Sequence, residues 1–366
     1  MVFLSRCAPL ALLLFSTFSG LGQTKPADLG LTQLSANANG RSIQFLVSAN
    51  PSQHPSRKPL LIFLQGSGPN PILQKVRIDG QLRTASMLMV APSWVVDKYH
   101  YVVIMKHGIP FYADQNFHAN NEYYNWDTLE NRVADVDAVI RYLVHQPWVD
   151  PSRIVVIGHS EGAVVAAKIA ATNRRVTHVA CLGVNGFTQM YDFIVSVRMQ
   201  VAAGKLTTED GEKQINELQQ QFKKIFADPD SITKFWQGVT YKRWHSYFME
   251  SSTEDLLKAE IPVFIAIGTD DMIESADITP LEFLRHGKSN LVYRVLPYAD
   301  HGFFVTHTEP DGHTVRLSQQ RAVVDEVLLW VENPASIAAI GERPANRIFQ
   351  KLGPNNSTEP EAHRTN

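Results

Sequence analysis

Ile154-Val155-Val156-Ile157-Gly158-His159-Ser160-Glu161-Gly162-Ala163-Val164-Val165-Ala166-Ala167 is the stretch on which the fold turns. Its first residues are a β-branched apolar run bounded by glycine, the pattern of a strand buried on both faces. The small residues from Ala163 to Ala171 read as a helix. Gly158-His159-Ser160-Glu161-Gly162 therefore sits between strand and helix, where a sharp turn strains the serine backbone and holds its hydroxyl out at the carboxyl end of a sheet. Glycines on either side let strand and helix approach without a Cβ clash. The competing reading, an ordinary turn with Ser160 as helix N-cap, is outweighed by those flanks.

Working outward, short apolar runs at Pro59–Leu64, Tyr101–Met105, Arg153–Ile157, His178–Leu182, Pro262–Ile267 and Leu291–Leu296 alternate with segments of helical period. That rhythm predicts an α/β architecture, a mostly parallel sheet covered by helices on both faces. Leu129, Val133, Val136, Ile140 and Leu143 form one helical stripe, stopped by Pro147 and Asp150-Pro151. Val323, Val324, Val327, Leu328 and Val331 form a last amphipathic helix, ended by Asn333 and Pro334. Residues 187–253 break the rhythm, being helical in period and rich in aromatics, and are expected to form an inserted helical cap. Within it Ile215, Leu218, Phe222 and Ile225 share a stripe, while Lys213, Glu217, Lys223 and Lys224 belong to solvated faces.

Residues 1–23 carry Arg6, an apolar run from Ala8 to Phe18 and small residues at Gly20 and Gly22, the pattern of a cleavable secretory signal. Pro9 interrupts the run, which falls short of the roughly 20 apolar residues that span a bilayer. A secreted or periplasmic location is expected, with no stable membrane insertion after cleavage. The domain is expected over 24–340, followed by a polar tail over 341–366. A formal charge of −2 over 366 residues offers no global basic field for nucleic acid. Of two cysteines, cleavage removes Cys7 and leaves Cys181 in an apolar run, a buried small hydrophobe.

A serine hydroxyl needs a base within reach and a carboxylate to orient that base. Gly268-Thr269-Asp270-Asp271 follows one predicted strand and Tyr298-Ala299-Asp300-His301-Gly302 the next, so the chain order is serine, aspartate, histidine. Ser160 is the expected nucleophile, His301 the base and Asp271 the acid. Asp270 is expected to cap its turn and Asp300 to accept loop hydrogen bonds. The N–H of Glu161 is one expected oxyanion donor, and Gln65-Gly66-Ser67-Gly68-Pro69 supplies the other through Ser67, with Gly66 as the near alternative. The Glu161 side chain is expected to be solvated or placed at the positive helix end. His107, His118, His159, His307 and His313 are read as forming no zinc motif, so no metal and no cofactor is expected.

Together Gln65–Pro69 and Gly158–Gly162 resemble the α/β-hydrolase superfamily, in its bacterial esterase branch related to dienelactone hydrolases and prolyl-oligopeptidase catalytic domains. The likeness covers about Pro59 to Asn333. It departs from dienelactone hydrolases in having serine where they carry cysteine, and Lys106–Ala119 lacks the aspartate-arginine-glycine turn common in the esterase branch. The resemblance implies hydrolysis of a small-molecule ester through an acyl-enzyme, with peptidase action on short peptides, thioesterase or acyltransferase activity as alternatives. Substrate selection is expected from the cap, with Trp236, Trp244 and Tyr247 as pocket candidates. The opposing expectation is that these rings pack the cap onto the core.

Overall fold

Successive strand residues point to opposite faces, so a sheet covered on both sides needs strands that are apolar throughout. The computed structural model describes residues 16–17, 25–38, 40–78, 80–271, 274–309 and 311–333. Its central sheet contains β1 (Thr32–Ala38), β2 (Arg41–Val47), β3 (Lys58–Leu64), β4 (His100–Ile104), β5 (Val149–His159), β6 (His178–Leu182), β7 (Val263–Gly268) and β8 (Leu291–Leu296). The order is β8-β7-β6-β5-β3-β4-β2-β1. From β8 to β4 every pairing is parallel, and β2 and β1 close one edge antiparallel. This is the mostly parallel α/β architecture that the sequence led us to expect.

Every apolar run read as a strand is one. The sequence reading missed β1 and β2, because the edge hairpin alternates polar and apolar residues. Asp150-Pro151, read as a helix stop, instead lies inside β5, whose pairing with β3 shifts register between Lys58 and Leu60. Proline is tolerated at such an irregularity because no regular ladder bond is lost there.

Alternation divides the core in two. Leu60, Ile62, Val156, Val179 and Ile265 meet the helices α2 (Leu129–Leu143) and α3 (Glu161–Thr172), following the short α1 (Asn121–Trp126). Leu61, Phe63, Val155, Ile157 and Phe264 face the other way, onto Val324, Val327 and Trp330 of the last helix (Gln320–Glu332). Cys181 is buried on the first face, and burial pushes its thiol pKa up.

Between β6 and β7 come α4 (Gln189–Ala202), α5 (Thr208–Ala227), a two-stranded hairpin of Phe235–Trp236 and Val239–Thr240, α6 (Tyr241–Phe248) and α7 (Ser252–Lys258). Phe222, Ile225, Tyr241, Trp244 and Phe248 give this insertion its own apolar cluster. The leader over 1–23, apart from Ser16–Thr17, and the tail over 341–366 lie outside the described residues. Among the described residues no helix is long and apolar enough to cross a membrane.

The approach of α3 to the sheet depends on two missing side chains. A Cβ on Gly162 would stand 2.1 Å from the Leu64 carbonyl oxygen, and one on Gly158 would stand 2.1 Å from that of Gly162. Both partners are backbone, so neither can turn aside. Gly162→Ala should cost about 3 kcal/mol or more in urea unfolding, at the top of the range for overpacking. Unfolding within about 0.5 kcal/mol of wild type would show that helix and strand can separate freely.

Candidate active site

Ser160 occupies the step from β5 to α3 at φ 57° and ψ −126°, a strained backbone for a residue with a Cβ. Its hydroxyl makes no capping hydrogen bond to α3, and its N–H donates to the Leu182 carbonyl at the end of β6 (2.9 Å). Because β5, β7 and β8 run parallel, the segments that follow them leave the same rim of the sheet, and Asp271 and His301 lie on the latter two.

The Nδ1 atom of His301 lies 3.0 and 2.9 Å from the two Asp271 carboxylate oxygens. Both residues are buried. Gly183, which follows β6, has φ +59°, and a Cβ there would stand 3.1 Å from His301 Cε1 and 3.5 Å from Asp271 Oδ2. Leu182 thus holds the Ser160 backbone while its neighbour Gly183 supports the imidazole, which brings both onto one peptide unit. His301 Nε2 is buried without a hydrogen-bond partner, so the structure joins Asp271 to His301 and leaves Ser160 Oγ and Nε2 unlinked. Burial disfavours charge on His301, but Asp271, with Asp300 and Asp192 beyond it, outweighs burial and raises the imidazole pKa.

The other candidate acids are engaged elsewhere. Asp270 is exposed and accepts a bond from Thr269. Asp300 accepts the N–H groups of Gly302 and Phe304 and pairs with Arg316. His159, assigned no role from sequence, donates Nε2–H to the His301 carbonyl (2.8 Å). Burial, then the nearby His301, lower its pKa to about 3, so it stays neutral and carries that proton. Its place directly before Ser160 was the available signal.

Glu161 corrects an expectation. Its carboxylate is neither solvated nor simply at a helix end; it is buried and ion-paired with Arg132 of α2 and Arg243 of α6. Burial opposes that charge, but Arg243, Arg132 and Lys106 hold the carboxyl below its ordinary range. Arg132 also donates to the Gln65 carbonyl (2.6 Å), and the Arg243 guanidinium lies 4.3 Å from the ring centres of both Trp244 and Tyr247. The sequence did carry a signal, because Arg132 lies three residues after Leu129 and four before Val136. A cation on that buried face needs a buried anion.

The loop Gln65–Pro69 reaches the serine directly. A Cβ on Gly66 would stand 3.3 Å from Ser160 Cβ and 3.7 Å from its Oγ. Among the described residues the N–H groups of Gly66 and Ser67 make no hydrogen bond. The pocket candidates are placed differently. Trp236 and Trp244 pack with Phe193 and Phe248 inside the cap, and Tyr247 is buried in the main core beside Arg132. The packing role is what their contacts describe.

A family model described as alpha/beta hydrolase fold matches residues 127–305. Among solved structures, the alpha/beta hydrolase GrgF from Penicillium sp. sh18 is 11% identical with a TM-score of 0.50, covering 84% of this chain and 99% of that one. Dipeptidyl peptidase 4 of Porphyromonas gingivalis is 10% identical with a TM-score of 0.50, covering 83% of this chain and 35% of that one. A 2,6-dihydroxy-pseudo-oxynicotine hydrolase is 15% identical with a TM-score of 0.45, covering 74% and 62%. The chain thus spans less than two thirds of the length of the latter two. No curated protein matches the sequence at a significant level.

Replacing Glu161 by glutamine would leave two buried guanidinium groups without their counter-charge. Glu161→Gln should lose about 3–5 kcal/mol of stability at pH 7 in urea unfolding. A carboxyl whose folded pKa is depressed stabilises above its unfolded pKa and loses that contribution as pH falls through the folded one. The gap between variant and wild type should therefore close in acid. A loss under about 1 kcal/mol at pH 7 would mean that water or another group replaces the pair.

Proposed function

On the α/β-hydrolase fold as premise, we propose that the chain is a serine hydrolase that cleaves carboxylic esters of small molecules. Ser160 attacks the substrate carbonyl while His301 Nε2 takes its proton. The tetrahedral intermediate breaks its C–O bond to the alcohol, which leaves with the proton returned by His301. Water deprotonated by the same base then cleaves the acyl-enzyme to the acid and free Ser160. Asp271, bonded to Nδ1, fixes the tautomer with Nε2 free to accept and stabilises the imidazolium once formed. The N–H groups of Glu161 and of Ser67 or Gly66 receive the developing oxyanion.

The observation that carries this reading is the combination of the strained Ser160 backbone with the Asp271–His301 pair at the same sheet rim. A positive φ at a non-glycine residue is costly, and here it leaves the hydroxyl unused by the helix. The ester assignment rests on the resemblance of Gln65–Pro69 and Gly158–Gly162 to the esterase branch. Residues 1–23, read as a leader, would direct the mature chain out of the cytoplasm.

Ser160→Ala should fold with wild-type circular dichroism and lose hydrolysis of p-nitrophenyl butyrate by about 10³-fold or more, together with labelling by a fluorophosphonate. Wild-type turnover in that variant would remove Ser160 from the mechanism.

Only neutral His301 can act as base, and its pKa lies above the ordinary 6.5. The rate kcat/KM should therefore fall as pH is lowered through a midpoint above that value. Asp271→Asn should reduce kcat by about 10⁴-fold and move the midpoint to lower pH. An unmoved midpoint would mean that another group governs the limb.

A further inference from the structure

Lys106 follows β4, and its side chain is buried. Its ammonium donates to the carbonyl oxygens of Gly66 and Gly68, 2.5 Å from each. Among the described residues no carboxylate lies within salt-bridge distance of it, although Asp127 and Glu161 are near enough to favour its charge and Arg132 and Arg243 to oppose it. Burying an ammonium group is costly, and a methionine of similar length would fill the space without that cost. The donors of this lysine are directed at the backbone of one loop, the loop that touches the Ser160 side chain.

A trans peptide holds its C=O and the following N–H antiparallel. With the Gly66 carbonyl gripped by Lys106, the Ser67 N–H points the opposite way. With the Gln65 carbonyl gripped by Arg132, the Gly66 N–H is likewise turned away from the cations. Neither N–H has a partner among the described residues. The grip on Gly68 orients no amide, since Pro69 has no N–H, but it fixes the far end of the loop, where Gly68 takes φ +81°.

We propose that Lys106 is a positioning residue for acyl transfer at Ser160, clamping Gly66 and Gly68 so that the loop's free amides face the oxygen on which negative charge develops. The inference rests on the serine hydrolase reading and adds to it a group that touches neither substrate nor triad. A preorganised donor stabilises the transition state without reorganisation at the moment of reaction. Loss of the clamp therefore acts on kcat more than on substrate binding. Burial, then the neighbouring Arg132, lower the Lys106 pKa to about 7, and the amine retains N–H groups for both carbonyls whether or not it is protonated.

The test uses the full chain with Lys106→Met, which keeps the volume, and Lys106→Gln, which keeps one donor group. The substrate is p-nitrophenyl butyrate, butaneboronic acid probes the tetrahedral state and butyrate the ground state. Lys106→Met should lose roughly 10- to 100-fold in kcat with KM within about threefold of wild type, lose boronate affinity by a similar factor, and keep its butyrate affinity. Lys106→Gln should fall between the two. Circular dichroism and thermal melting report folding, and if the methionine variant does not fold, the glutamine variant decides. A folded variant that keeps boronate affinity within about twofold of wild type, or loses boronate and butyrate affinity alike, overturns the assignment. A wild-type chain that a fluorophosphonate does not label at Ser160 removes the hydrolase reading itself, a different result from a labelled enzyme indifferent to Lys106.

Discussion

The buried carboxylate of Glu161, held between Arg132 and Arg243, ties together the three parts from which the site is assembled. Glu161 is joined covalently to Ser160, Arg132 reaches the Gln65 carbonyl, and Arg243 comes from the cap. An ion pair on the surface would be screened and replaceable by water. Here all three groups are buried, so the charges cannot part without exposing one of them to a medium that solvates it poorly. The Ser160 turn, the loop beside it and helix α6 are thus held in one relative arrangement by one set of charges.

The second attachment works through hydrogen bonds. His159 holds the backbone of His301, and Asp271 holds its ring. His301 and Ser160 are therefore connected through the residue that precedes the serine, in addition to their shared seat on Leu182 and Gly183. Tyr298 and Phe303, both at positive φ, bracket the segment that carries His301. Such strain persists only where surrounding contacts over-determine it, and Asp300 supplies several of those contacts by accepting two loop N–H groups.

Much of the fold could be read from local pattern. The uninterrupted apolar runs from Leu60 to Leu296 could only be strands buried on both faces, and the stripes over α2 and the last helix could only cover them. The edge strands β1 and β2 were illegible for the converse reason, because a half-exposed strand such as Thr32–Ala38 has the composition of a polar loop. Asp271, His301 and Ser160 could be located because each follows a recognisable strand. Asp271 was preferred over Asp270 because an aspartate in the latter place usually caps its turn, and the Asp271 carboxylate is the one that meets His301 Nδ1.

By itself the sequence determined what is written locally: strand and helix periodicity, the glycines that admit a tight turn, and the serine–aspartate–histidine order. Tertiary structure alone decided where the charged side chains go. Arg132, Glu161, Arg243 and Lys106 are far apart along the chain, and although the stripe around Arg132 marks it as buried, nothing local says which anion meets it. A buried charge is tolerable only when its partners converge in space, and convergence is a property of the folded sheet and cap, which no local pattern of residues records.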